Sequence, residues 1–241
     1  MTTTATKPTI VLVHGAFADA STWNGVIELL LAQGYNVVAP ANPLRGLTSD
    51  SAYIASVINQ IDGPVLLVGH SYAGAILSNV GSMTKNVAGL VYVAAFVLNE
   101  GQTLNDVGGK SKDSILGPAL IETRYPKGPG VEDGREYIMK VDQVREVFAA
   151  DVPKLLVKFM AVTQRPIADL AFGEVCGPAT WKNVPAWAIV ATEDKAAGAD
   201  AIRASAQQAD IKIIEVEGSH AIMVSKPREV ATVILRAAES L

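Results

Sequence analysis

The sequence predicts an α/β fold: a mostly parallel sheet flanked by helices, with an inserted helical cap. Short continuous apolar runs alternate with stretches of helical spacing, the order expected of parallel strands covered by helices on both faces. One run, Val65-Leu66-Leu67-Val68, leads into Gly69-His70-Ser71-Tyr72-Ala73-Gly74. That is the layout of a strand-to-helix turn so sharp that its serine is lifted clear of the backbone. The alternation stops between 98 and about 183 and then resumes, as an insertion into a single fold would make it do.

Taken in order, 9–13 is wholly apolar and rich in β-branched residues, which reads as a strand buried on both faces. Helical spacing follows over 21–32 at Trp23, Val26, Ile27, Leu30 and Leu31, with Gly34 where a helix stop is expected. A second strand over 35–39 is closed by Pro40 and Pro43, and 49–60 reads as a helix with Tyr53, Ile54, Val57 and Ile58 inward. The strand at 65–68 enters the turn, where crowding around Ser71 demands small neighbours; Gly69, Ala73 and Gly74 supply them. A helix over 72–80 and an apolar strand over 87–94 follow. Beyond 98, Gly and Pro are frequent at first, and helical patterns appear at 137–149 and 152–162. The rhythm resumes with a strand at 186–191, a helix at 199–209, a strand at 211–216 and a last helix at 227–240. Pro227 suits a first-turn position. The expected division is a core of 1–97 and 185–241 with a cap of 98–184.

The 241 residues are enough for one sizeable α/β domain. Apolar residues make up 49% and charged residues 18%, which fits a packed core and not a disordered chain. A net charge of −4 gives no reason to expect nucleic acid or an anionic membrane as partner. Cys176 is the only cysteine, which excludes an intrachain disulfide and a thiolate zinc cluster, and the 3 histidines are too few for a rich metal site. No metal site is expected. Residues 1–8 lack the charged-then-apolar layout of a leader peptide. The apolar runs fall short of the roughly 20 residues a membrane span requires. The expectation is a soluble, cytoplasmic monomer or homodimer that acts on a small molecule.

In an open parallel sheet, ligands bind outside the carboxyl ends of the strands. Four loops of chemical interest fall there, after Val13, Val68, Ala191 and Val216. A serine hydroxyl needs a base to take its proton, and the base needs an orienting acid. The base candidates are His14, His70 and His220. His70 adjoins Ser71 and should point away across the turn, and His14 suits a brace between loops. His220, in Glu217-Gly218-Ser219-His220-Ala221 before the last helix, is the choice. The acid should follow a strand and precede His220, in the chain order serine, acid, histidine. Glu193 and Asp194 both qualify by type; Asp194 is preferred and Glu193 stays open. An oxyanion needs two preplaced N–H donors. Tyr72 N–H at the helix start is the first, and Ala16 N–H the second, with Phe17 as the fallback.

Together, His14-Gly15-Ala16-Phe17, Gly69-His70-Ser71-Tyr72-Ala73-Gly74, Glu193-Asp194 and Gly218-Ser219-His220 resemble the α/β-hydrolase superfamily over essentially the whole chain. Ala39-Pro40-Ala41-Asn42-Pro43-Leu44-Arg45-Gly46 and Gly218-Ser219-His220-Ala221-Ile222-Met223-Val224 are similar to small bacterial members related to plant methyl-ester esterases and hydroxynitrile lyases. The resemblance implies an α/β-hydrolase fold, a Ser71–His220–Asp194 triad and no cofactor. It supplies no substrate. The strict pattern has glycine two residues after the serine, where this chain has Ala73. Hydroxynitrile lyases of this type carry a lysine directly after the catalytic histidine; Ala221 stands there and disfavours a lyase.

The cap is expected to cover the triad and shape the acyl and alcohol pockets. Phe17, Trp23, Phe96, Leu155 and Phe159 are the expected substrate-binding side chains, with Tyr72, Tyr137 and Trp181 as further candidates. No arginine cluster offers a site for phosphate or a dicarboxylate. The expected function is a serine hydrolase that cleaves a small to medium, mostly apolar ester or lactone through an acyl-enzyme. The alternatives are a cofactor-free haloperoxidase or perhydrolase with the same triad, a hydroxynitrile-lyase-like enzyme, and a non-catalytic ligand receptor.

Overall fold

A strand that is apolar at every position needs cover on both faces. The structure, a computed structural model describing residues 7–241, provides it. The start read above for a leader lies outside the described residues, apart from Lys7 and Pro8. The strands are β1 (Thr9–Val13), β2 (Val37–Val38), β3 (Val65–His70), β4 (Val87–Val93), β5 (Leu120–Tyr125), β6 (Gly134–Met139), β7 (Ile167–Ala168), β8 (Ala186–Ala191) and β9 (Lys212–Val216). The helices are α1 (Asn24–Ala32), α2 (Leu47–Ile58), α3 (Ala73–Asn79), α4 (Leu104–Gly108), α5 (Leu116–Ala119), α6 (Val144–Val147), α7 (Lys154–Thr163), α8 (Leu170–Gly173), α9 (Ala199–Gln208), α10 (Ile222–Ser225) and α11 (Pro227–Glu239).

Six strands form a wholly parallel sheet in the order β2-β1-β3-β4-β8-β9. Alternate residues divide between its faces. Val11, Leu67 and Tyr92 pack with Ile54 of α2 and Ile76 of α3, whereas Ile10, Leu12, Leu66, Val68 and Val91 pack with Val26 and Leu30 of α1 and Val230 and Ile234 of α11. Each such fully buried side chain contributes about 1.5–3 kcal/mol. β2 is shorter than the expected 35–39 and is an edge strand, pairing with β1 at Ile10↔Val37 and Val11↔Val38. Pro227 occupies the first turn of α11. No helix among the described residues is long and apolar enough to cross a membrane.

The chain between β4 and β8 carries more than the expected helices. Alongside the short helices α4 to α8 it carries a second, antiparallel sheet in the order β5-β6-β7. The expected helix at 137–149 is instead the end of β6, a turn and the single-turn α6. Tyr137, Val144 and Val147 recur at near-helical spacing, but Leu120↔Met139 to Tyr125↔Gly134 form a full cross-strand ladder. A tertiary partner of this kind overrides the local pattern. Arg45, after β2, ties this sheet to the core: it pairs with Glu136 of β6 at 2.6 Å and lies over the Tyr125 ring, 4.4 Å from its centroid.

Candidate active site

Ser71 occupies the turn from β3 to α3 with a φ of 55°. A non-glycine residue enters that left-handed region at a cost of order 1–3 kcal/mol and stays only when its surroundings hold it. Ser71 N–H donates to Val93 C=O at 3.2 Å, and Ser71 C=O accepts from Gly74 N–H at 3.0 Å. Two glycines let the chain close on the serine. A Cβ on Gly15 would stand 2.7 Å from Ser71 Cβ, and one on Gly74 would fall on the Phe96 carbonyl.

The loops after β8 and β9 bring an acid and a base together. His220 Nδ1 lies 2.6 Å from Asp194 Oδ2, and both side chains are buried. Asp194 Oδ1 accepts from the N–H groups of Ala196 and Ala197, each at 2.9 Å. A carboxylate held this way keeps one oxygen for the loop and one for the histidine. Charge-assisted bonds to N–H groups are among the stronger hydrogen bonds in proteins. Glu193, the open alternative, is exposed. Ser71 and His220 line the same cavity. Their side chains make no mutual hydrogen bond in this geometry, a looseness common before substrate binds.

The other two histidines are braces by their contacts. His14 Nε2 accepts from Asn42 N–H at 2.9 Å, which leaves Nδ1–H to donate to Gly15 C=O at 2.9 Å. Asn42 returns the contact, its side-chain amide donating to His14 C=O at 3.0 Å. His70 Nε2 donates to His220 C=O at 3.0 Å, and its ring centroid lies 4.6 Å from that of His220. Burial lowers the pKa of His14, and lowers that of His70 further, with the neighbouring His220 adding to the effect. Both rings are therefore neutral, and each fixes a loop of the site.

At the head of the site, Phe17 N–H donates to Arg165 C=O at 3.1 Å and is committed there. The N–H groups of Ala16 and Tyr72 form no hydrogen bond among the described residues, and both residues line the cavity with Ser71. The Tyr72 hydroxyl donates to the buried Asp50 carboxylate at 2.7 Å. That carboxylate also accepts from Arg45 N–H. Burial raises the pKa of both Tyr72 and Asp50.

The cavity measures about 430 Å³ and is mostly apolar. Of the expected substrate-binding side chains, it brings together Phe17 and Phe96, with Tyr72 beside them. Three expectations are corrected. Trp23 is fully buried on the opposite face of the sheet, edge-on to His70. Leu155 and Phe159 lie on the outer face of α7, 64% and 55% exposed, and do not reach the cavity. Tyr137 packs on Phe172, and Trp181 Nε1–H donates to Leu98 C=O. Cys176 is buried away from the cavity, and burial pushes its thiol pKa up to about 11. The walls that the sequence did not reveal come from the insertion: Leu104, Leu116, Ile167, Phe172 and Phe148. Phe148 stands edge-on to His220 with ring centroids 4.8 Å apart. It sat in an apolar stripe of the sequence, and no local signal set it apart.

Over 161 residues, 60% of this chain and 55% of the other, the chain is 29% identical to the pyrethroid hydrolase of Sphingobium wenxiniae. It is 29% identical over 107 residues to the carbendazim hydrolyzing esterase of a Nocardioides species, covering 39% of this chain and 44% of that one. Each match thus spans about half the length of the relative. The crystal structure of polyneuridine aldehyde esterase superposes with a TM-score of 0.79 at 22% identity, covering 96% of this chain and 99% of that one, and so shares the fold. The model of the alpha/beta hydrolase family matches residues 10–233, and with the serine turn, the buried acid–base pair and the parallel sheet beneath them, this chain belongs to that family.

Proposed function

We propose that the protein is a serine hydrolase that cleaves small to medium, mostly apolar carboxylic esters or lactones through an acyl-enzyme. The observation that carries this reading is the buried 2.6 Å His220–Asp194 pair at the wall of an apolar cavity that also holds Ser71. The names of the relatives, a pyrethroid hydrolase and a carbendazim hydrolyzing esterase, support the same chemistry.

In this mechanism Ser71 Oγ attacks the ester carbonyl carbon while His220 Nε2 takes its proton. Asp194, bonded to Nδ1, holds the tautomer that leaves Nε2 free and stabilises the imidazolium. The carbonyl oxygen becomes an oxyanion between the N–H groups of Ala16 and Tyr72, each such donor worth about 10²–10³ in rate. Collapse breaks the C–O bond, and the alcohol leaves with the proton from His220. Water then attacks the acyl carbon, gives its proton to His220, and frees the acid as Ser71 recovers the proton. The cycle needs no cofactor. Residues 98–184 serve as the cap, whose inner wall selects neutral, apolar acyl groups.

The test is hydrolysis of p-nitrophenyl acetate, butyrate and octanoate by wild type and Ser71→Ala. Turnover in the wild type should fall by several orders of magnitude in the variant, and the chain-length profile should size the acyl pocket. An active Ser71→Ala overturns the mechanism. A folded wild type inert to all three esters overturns the reading and favours a peroxide-dependent, lyase or receptor function.

A further inference from the structure

We propose that the insertion positions the acid and the base of the site, with Ser114 acting on the acid loop and Asp151 on the base loop. The proposal rests on the hydrolase reading above.

On the acid side, the Ser114 hydroxyl donates to Ala196 C=O at 2.6 Å, and Ile115 N–H donates to Lys195 C=O at 2.8 Å. Ala196 is one of the three residues whose N–H groups donate to Asp194 Oδ1, with Ala197 and Gly198. The adjoining stretch adds the Ser111 hydroxyl to Asp200 Oδ1 at 2.5 Å and Lys112 N–H to Asp200 Oδ2 at 2.7 Å. The insertion thereby grips the peptide that aims the acid.

On the base side, the Ser219 hydroxyl donates to Asp151 Oδ1 at 2.5 Å, and Ala221 N–H donates to Phe148 C=O at 2.9 Å. Ser219 and Ala221 flank His220, so the insertion holds the chain on both sides of the base. The core's own contributions are the His70 bond to His220 C=O at 3.0 Å, the Glu193 N–H bond to Gly218 C=O at 3.0 Å and the Asp194–His220 contact itself.

Two observations favour positioning over general stability. Asp151 is exposed, so water can satisfy its carboxylate when the Ser219 hydroxyl is removed. Ser111, Ser114 and Phe148 also line the cavity. The walls a substrate would touch are therefore the segments that orient the acid–base pair. A misplacement of about 1 Å in a catalytic group costs as much as ~10²-fold in rate, and such a loss appears in kcat rather than KM.

The experiment measures kcat and KM on p-nitrophenyl butyrate for wild type, Asp151→Ala, Ser219→Ala and Ser114→Ala, and for the conservative Asp151→Asn and Ser114→Thr. Labelling of Ser71 by a fluorophosphonate and thermal melting are followed in parallel. Asn keeps an acceptor for Ser219, and Thr keeps a donor for Ala196. Each alanine variant should lose about tenfold or more in kcat, with KM within about twofold and melting nearly unchanged. The Asn and Thr variants should recover most of the loss. The Asp151→Ala/Ser219→Ala double variant should be no worse than the worse single, since both remove one bond. Alanine variants with wild-type kcat, losses confined to KM or to melting, or conservative variants no better than alanine would each overturn the proposal while leaving the hydrolase intact. A wild type that neither turns over nor labels overturns the hydrolase reading, and this proposal with it.

Discussion

Asp194 and Glu193 are adjacent carboxylates of nearly equal intrinsic acidity in opposite surroundings. Asp194 is 2% exposed, with one oxygen on His220 and the other on three backbone N–H groups; Glu193 is exposed. Asp194→Asn should therefore lower kcat by about 10³–10⁴, and Glu193→Gln should leave it within about twofold. Steady-state kinetics on one ester decides; the reverse ranking would move the acid to Glu193. A second residue-scale prediction concerns Gly74, where a Cβ would fall on the Phe96 carbonyl. Backbone cannot yield as a side chain does, so Gly74→Ala should destabilise by about 1–3 kcal/mol in urea unfolding. Both sites show what was legible. The need for small residues around Ser71 follows from turn geometry and was readable. The choice between two neighbouring acids depends on which side chain turns back under the sheet edge, and residue type carries no record of that.

At the scale of elements, strands with both faces covered were the clearest signal. β1 and β8 have the expected bounds because a short, wholly apolar run between loops has few other uses. β5 and β6 are polar, lie in a small sheet, and are defined by each other rather than by any local period. α7 shows a different ambiguity. Its inner face is Val157, Met160 and Ala161, its outer face carries Leu155, Phe159 and Val162, and both are apolar. Periodicity locates such a helix but cannot orient it. The orientation makes a prediction about the cavity wall. Phe96 lines the cavity and Leu155 and Phe159 do not. Phe96→Ala should lower kcat/KM for p-nitrophenyl octanoate by about tenfold or more, whereas Leu155→Ser and Phe159→Ser should leave it unchanged. Equal losses in all three would mean that α7 turns its other face to the substrate.

At the scale of the whole molecule, the site is assembled at one sheet edge by buried histidines that cannot be charged in place. His14 Nε2 is occupied by the Asn42 N–H, so protonation would break that bond. His70 is wholly enclosed beside His220. Burial is the first cause of the lowered pKa of each. The sign of the consequence follows from proton linkage. Below about pH 6.5 the unfolded chain protonates both imidazoles and the folded protein does not, so stability falls as pH falls. The slope approaches about 1.4 kcal/mol per pH unit for each histidine and persists down to its folded pKa. Urea unfolding at about pH 7.5, 6.5 and 5.5 reads it. The wild type should lose stability as pH falls across the lower interval. His70→Gln, whose side-chain amide can still donate to His220 C=O, should show a shallower slope whatever its absolute stability. An unaltered slope in His70→Gln would mean that His70 is protonated in the folded state, and the contact that orients the His220 loop would then have to be a charged one.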